Sequence, residues 1–313
     1  MVNRARTWAG GDLVEMDGFV AELRRAGVQV VVSTTVPEDP VYPVYHLYNA
    51  GWSWSVSAAA QINRIGRPFV VTPIYFPRRS HPTQHPSTSD VFTTAARILV
   101  YSNYERDEIL SEHSEIPADR FETLLKGIQP GFDAKVDSFD RRPTKVALVC
   151  SITPRKNVLQ MLQAAKDLGV VPVVAGQIAD HQYWARCKKL PHIYAGELDR
   201  RALAALYAKT KVVVIASDFD PGPNVLLEAA MAGCVVVMTR HTYLRDVPGV
   251  FWCVPEEQNS IREAIRQALT ASPSRWPASQ LKTYVKTSFD WNDSTTRLLA
   301  VYDAIAHRTW RES

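Results

Sequence analysis

Apolar residues recur along this chain with two different periods, and the alternation between the two predicts its architecture. Leu13, Met16, Phe19, Val20 and Leu23 fall at helical spacing within residues 12–27 and define one apolar face, with Gly27 as the stop. The opposite face mixes Glu15, Asp17 and Glu22 with Arg24 and Arg25, so the segment reads as a core helix, a membrane-surface helix being the alternative. Apolar runs of strand length follow at 28–33, 44–48, 69–72 and 98–102, separated by helical patterns such as 57–65. A second series is clearer, with strand-like runs at 145–151, 171–175, 212–216 and 235–239 between helical patterns at 158–168, 200–208, 225–231 and 261–271. A last helix is expected over 294–306. Strands alternating with helices predict parallel, doubly wound sheets. Two such series within 313 residues predict two Rossmann-like α/β domains. The polar run at 137–143 marks the expected boundary, giving an N-terminal domain at 1–141, a C-terminal domain at 142–291 and a terminal helix at 292–313 that packs back on the first domain.

Composition narrows the class. With 46% hydrophobic and 22% charged residues the chain is that of a folded protein without low-complexity tracts. No apolar stretch approaches eighteen residues, and the start Met1-Val2-Asn3-Arg4 leads into polar sequence without a signal-peptide core. The expectation is therefore a cytoplasmic protein, free or peripheral at a membrane. Cys150, Cys187, Cys234 and Cys253 are isolated and lack metal-ligand spacing, so they read as reduced core residues. Charge is uneven. Residues 1–141 carry 14 Lys and Arg against 17 Asp and Glu, and residues 142–313 carry 22 against 15. A basic second half suits a diphosphate ligand, and a net −3 first half argues against a grip on DNA.

The most informative stretch is Ser217-Asp218-Phe219-Asp220-Pro221-Gly222-Pro223-Asn224-Val225-Leu226-Leu227-Glu228-Ala229-Ala230-Met231-Ala232-Gly233. A strand, a loop and a helix beginning near Asn224 would present unpaired backbone N–H groups and a positive dipole end at the strand's carboxyl edge, where anions bind. Asp218-x-Asp220 alone also matches the Asp-x-Asp of metal-dependent glycosyltransferases, in which two carboxylates hold a divalent cation on a diphosphate.

This stretch resembles the donor motif of the GT-B retaining glycosyltransferases of the glycosyl transferases group 1 type, in which an acid is followed after seven residues by Glu. Asp220 and Glu228 occupy the two acidic places. The resemblance implies a GT-B fold, two Rossmann-like domains facing a cleft, and transfer of a sugar from a nucleoside diphosphate sugar, UDP- or GDP-linked, to an acceptor hydroxyl with retention and without a metal or other cofactor. Asp220 would contact sugar hydroxyls and Glu228 the ribose hydroxyls, while the loop Gly222-Pro223-Asn224-Val225 would face the diphosphate with its backbone N–H groups, Pro223 shaping the turn without one. Asp stands where Glu is commoner, and Pro221-Gly222 departs from the usual Gly followed by an apolar residue.

Other segments extend the resemblance. The run 146–150 leads into Ser151-Ile152-Thr153-Pro154-Arg155-Lys156-Asn157, similar to the family's strand-turn segment ending in Lys-Gly or Lys-Asn. Lys156, with Arg155, would neutralise the diphosphate and the charge developing on the leaving group, although Ser151 stands where an Arg is common. Basic residues at a helix start oppose its dipole, which favours an anion beside them. Ala175-Gly176-Gln177 and Tyr194-Ala195-Gly196-Glu197-Leu198 resemble the Gly turns bordering the nucleotide base, and either could equally be a plain turn. Gly10 and Gly11, within Trp8-Ala9-Gly10-Gly11-Asp12, resemble the glycine loop after the first strand, for which only residues 1–7 remain. His46 takes the first place of a His-x-His pair, Tyr48 the second, and Asn49 follows. A satisfied core histidine is the alternative for His46. The loop Arg78–Pro86 could grip an acceptor or simply connect, and Phe289-Asp290-Trp291 resembles the Phe-Ser-Trp before the last helix. A glycan or lipid-linked glycan is the default acceptor. Hydroxymethylated DNA is the alternative acceptor, and a non-catalytic nucleotide-sugar binder or an epimerase is the alternative outside the class.

Overall fold

The computed structural model of the protein describes residues 11–37, 42–77, 88–133, 141–271 and 277–311. The chain divides into two compact units, Met1–Gly127 with Phe289–Ser313, and Ile128–Ser288. The sequence put the first boundary in the polar run at 137–143, of which 137–140 lie outside the described residues, whereas the first unit ends at Gly127.

In the first unit, helix α1 (Gly11–Arg25) precedes strand β1 (Tyr45–Tyr48), α2 (Ser53–Arg64), β2 (Phe69–Thr72), α3 (Thr88–Thr94), β3 (Arg97–Val100), α4 (Asn103–Glu112) and β4 (Phe121–Thr123). The four strands pair in parallel in the order β1-β2-β3-β4. Residues 28–32 form no strand and Ser33 makes only an isolated bridge, which corrects the strand expected at 28–33. Val28, Val30 and Val32 lie on the core while Gln29 and Val31 face out. A period of two records burial of one face, which an extended segment achieves without ladder hydrogen bonds.

The second unit continues with β5 (Thr144–Val149), α5 (Val158–Asp167), β6 (Val173–Ala175), α6 (His181–Cys187), β7 (Ile193–Gly196), α7 (Arg200–Ala208), β8 (Thr210–Ile215), α8 (Asn224–Met231), β9 (Val235–Thr239), β10 (Val250–Cys253), α9 (Gln258–Thr270) and α10 (Pro277–Ser288). Its six parallel strands run β10-β9-β8-β5-β6-β7. The central strands are Val-rich and buried on both faces, as a sheet covered by helices on both sides requires.

Helix α11 (Trp291–Arg311) returns to the first unit, where Leu298 and Ile305 join Met16, Phe19, Val20 and Leu23 of α1 in one core. Trp291 sets its ring edge-on to Phe19, 5.0 Å between centroids. Gly127 must lack a side chain there, since a Cβ would lie 2.2 Å from the Trp291 ring. Asp290 starts the helix by accepting the Asp293 N–H at 2.9 Å. Among the described residues no helix is long and apolar enough to cross a membrane.

Buried carboxylates stitch the carboxyl edge of the first sheet. Glu105, fully buried in the first turn of α4, accepts the Tyr101 N–H at 2.7 Å and the Tyr75 N–H at 3.2 Å, tying the loops after β3 and β2 together. Tyr101 donates its hydroxyl to Glu15 at 2.6 Å, and Lys126 stands 3.3 Å from the same oxygen. Burial pushes the Glu105 carboxyl from 4.5 up to about 8, against the pull of its two backbone donors. A carboxyl raised in the folded state stabilises fully below its unfolded value and loses that contribution as pH rises through about 8. Glu105→Gln should therefore flatten the fall in melting temperature between pH 5 and 8 relative to the parent protein. An unchanged slope would assign that pH dependence to other groups.

Candidate functional site

From β5 the chain of the second unit builds β6 and β7 on one side and then β8, β9 and β10 on the other. The strand order reverses between β5 and β8, so the loops leaving these neighbours diverge and open a crevice at their carboxyl ends, the place where doubly wound sheets take ligands. The predicted donor residues of this half lie on those loops or just beyond them.

After β5, Ile152 makes a single bridge to Ile178, and Pro154–Lys156 forms one 3-10 turn before α5. Asn157 joins turn to helix in the left-handed region, φ 53° and ψ 32°, which only Gly, Asn and Asp adopt at small cost. That constraint gives a backbone reason for Gly or Asn after the lysine. The Asn157 amide also donates to the Ala216 carbonyl at 3.0 Å and to the Asp218 carboxylate at 2.5 Å. Burial raises the Asp218 carboxyl above its ordinary value, and the Asn157 bond pulls the other way. Arg155 completes the lacing, its carbonyl accepting the Asp218 N–H at 2.9 Å and its guanidinium donating to the Phe219 carbonyl at 3.4 Å.

Lys156 reaches across the crevice to Asp220, Nζ to Oδ2 2.7 Å, with side chains 17% and 13% exposed. The anion answering the basic turn is thus a carboxylate of the protein itself. Asp220 is held in turn by the neighbouring loop, donating its N–H to the His241 carbonyl at 3.0 Å and bridging Thr242. The His241 ring donates through Nδ1 to the Asp218 carbonyl at 2.9 Å. Phe219 turns inward against Tyr243, 5.0 Å between ring centroids. The two carboxylates of Asp218-x-Asp220 are therefore engaged separately, and the described residues contain no cluster of three or more potential metal ligands.

Beyond Asp220, Pro221-Gly222-Pro223 turns the chain into α8, which begins at Asn224 and directs its first amides to the carboxyl edge. Arg142, buried beneath the sheet, donates to the Ala232 carbonyl at the far end of α8 at 3.1 Å and to the Thr210 carbonyl at 2.8 Å, fixing the helix against β8. Glu228 lies in the second turn of α8, half-buried, and accepts the Tyr207 hydroxyl at 2.9 Å. Ser151 is exposed at the end of β5. Gly176 sits beside it with φ 137°, and a Cβ there would lie 1.9 Å from the Cys150 carbonyl oxygen. Gly176 is thus required for backbone approach, whatever else it borders.

The structure gathers Arg155, Lys156, Asp220, Gly222, Pro223, Asn224, Val225, Glu228, Ser151 and Gly176 on this one edge. His46 belongs to the first unit and is 2% exposed. Its Nδ1 meets the Tyr302 hydroxyl at 2.6 Å and its Nε2 the Thr72 hydroxyl at 2.8 Å, while its ring stacks on Tyr48. Burial holds its pKa well below 6.5, so the ring is neutral, and with both nitrogens taken it offers a substrate neither base nor donor as placed. Gly11 is exposed at the start of α1. Gly10 and the loop Arg78–Pro86 lie outside the described residues. Sequence reasoning did not single out Tyr207, Arg142 or His241, whose parts depend on contacts between distant segments.

The two parallel α/β units make up a GT-B fold, and comparison with known proteins agrees. Residues 132–281 match the family described as glycosyl transferases group 1. Anabaena HepE, solved in complex with UDP and glucose, is 13% identical to the chain and superposes with a TM-score of 0.78 over 97% of this chain and 98% of its own. Sucrose-phosphate synthase from Thermosynechococcus elongatus is 15% identical, with a TM-score of 0.71 over 100% and 83% of the two chains. A glycosyltransferase from Rickettsia africae is 14% identical, with a TM-score of 0.67 over 97% and 84%. No curated protein matches the sequence. The fold is GT-B.

Gly176→Ala should destabilise the second unit by about 2 kcal/mol or more, since the new methyl meets a backbone oxygen in a conformation that L-residues avoid. Denaturant unfolding reads this directly, and a loss under about 0.5 kcal/mol would mean the loop relaxes freely.

Proposed function

We propose that this protein transfers a glycosyl group from a nucleoside diphosphate sugar, with UDP the nucleotide to try first, to an acceptor hydroxyl. The observation that carries the reading is the meeting of Lys156, Asp220 and the amino end of α8 at the reversal point of the second sheet. A cation and a row of helix amides on one edge form a site for a diphosphate. Lys156 neutralises charge as it develops on the leaving phosphate, with Arg155 beside it, and the amides of Gly222, Asn224 and Val225 hold the phosphate oxygens. Asp220, already paired, accepts from sugar hydroxyls, and Glu228 accepts from the ribose. The bound UDP and glucose in the structure of HepE support a UDP-sugar for this edge.

Such a site works by positioning and charge neutralisation, without a protein nucleophile. It suits transfer with retention, in which the leaving phosphate takes the acceptor proton and no metal is needed, since Lys156 supplies the positive charge. The acceptor belongs to the class of glycans or lipid-linked glycans. The net negative first half disfavours DNA as that acceptor.

Lys156→Gln keeps a donor for Asp220 and removes the charge. It should weaken UDP at least tenfold by calorimetric titration while leaving uridine within about twofold. Equal weakening of both ligands, or of neither, would remove Lys156 from the phosphate site.

A further inference from the structure

We infer that Tyr207 is a positioning residue that sets the ribose recognition of this site from beneath, by fixing the carboxylate of Glu228. The inference rests on the assignment of Glu228 to the ribose. Tyr207 closes α7, is 0% exposed, and aims its hydroxyl across to α8, 2.9 Å from Glu228 Oε2. Its ring is fixed edge-on to Phe132, 5.8 Å between centroids, and its carbonyl accepts from the Cys234 thiol at 3.2 Å. The ring and the backbone of Tyr207 are therefore both held.

A glutamate on a helix has three side-chain torsions, and a vicinal diol is recognised only if the carboxylate plane stands still. A donor rigid enough to fix one oxygen removes that freedom before the nucleotide arrives. The phenol stays in its donating form, because burial, followed by the charge of Glu228, pushes its pKa well above 10. The interaction can run in one direction only, hydroxyl to carboxylate. Tyr207 touches no part of the donor in this account and acts only through Glu228.

The test is calorimetric titration of UDP and 2′-deoxy-UDP, with GDP run alongside, against the full chain, Tyr207→Phe, Glu228→Gln and the double variant. Phe keeps the ring on Phe132 and removes only the hydroxyl. The parent protein should prefer UDP over the 2′-deoxy form. Tyr207→Phe should weaken UDP by about tenfold and 2′-deoxy-UDP much less, so that the preference collapses toward one. Adding Tyr207→Phe to Glu228→Gln should change the preference no further, the mark of two residues acting as one unit. A purely structural phenol would weaken both ligands together, or neither, and leave the preference intact, which overturns the inference. Were the phenylalanine variant unstable, its melting temperature would show it, and the Glu228→Gln preference alone would decide, an intact preference there sinking the inference. A parent protein that binds UDP but ignores the 2′-hydroxyl overturns the ribose assignment of Glu228. One that binds neither UDP nor GDP overturns the functional reading as a whole.

Discussion

The ion pair between Lys156 and Asp220 spans the place where the second sheet divides. Loops leaving adjacent parallel strands with opposite directions of winding have no continuous ladder to join them, so those after β5 and β8 are tied by side chains and a single backbone bond. Lys156 to Asp220 is the outermost tie, and Asn157 to Ala216 and Asp218 lies beneath it. The backbone bond from Asp218 to Arg155 and the bridge between Asp220 and Thr242 complete the lacing. These ties hold a cation and a helix amino end at fixed positions before any ligand arrives, which is the preorganisation that phosphate chemistry requires. The arrangement also explains a tolerance. The shorter side chain of Asp suffices to reach Lys156 here.

Support from below matters as much as the residues at the rim. Arg142 fixes the far end of α8, Tyr207 fixes Glu228, and Gly176 lets the loop after β6 lie against the end of β5. None of the three lies at the rim itself, yet each fixes a helix, a carboxylate or a loop that does. The first unit has a comparable device in Glu105, which gathers the loops after β2 and β3.

The parallel architecture was legible because its central strands are buried on both faces. The valine runs of β8 and β9 have no other good explanation, and both strands form there. The turn-to-helix geometry at the carboxyl edge of the second sheet was legible because helix starts and left-handed turns restrict residue type, as Pro223, Asn224 and Asn157 illustrate. Edge strands left a fainter trace. β4 and β7 expose most of their side chains and so lack the apolar signal that marks the centre. The segment 28–33 misled for the converse reason, having one buried face without a ladder. Tyr207 falls within the helical pattern at 200–208, where nothing local reveals that its hydroxyl meets a carboxylate 21 residues away. His46 is the opposite case, a chemically suggestive residue whose ring hydrogen-bonds to Tyr302, 256 residues on, and to Thr72.

Amide hydrogen exchange with and without saturating UDP is the most direct measurement of the central claim. Ordered phosphate oxygens should protect the amides of residues 222–228 and of the 151–157 turn, with the strongest effect at the first turn of α8. Protection confined to the first unit, or binding of UDP with no change at either loop, would contradict the placement of the donor at the carboxyl edge of the second sheet.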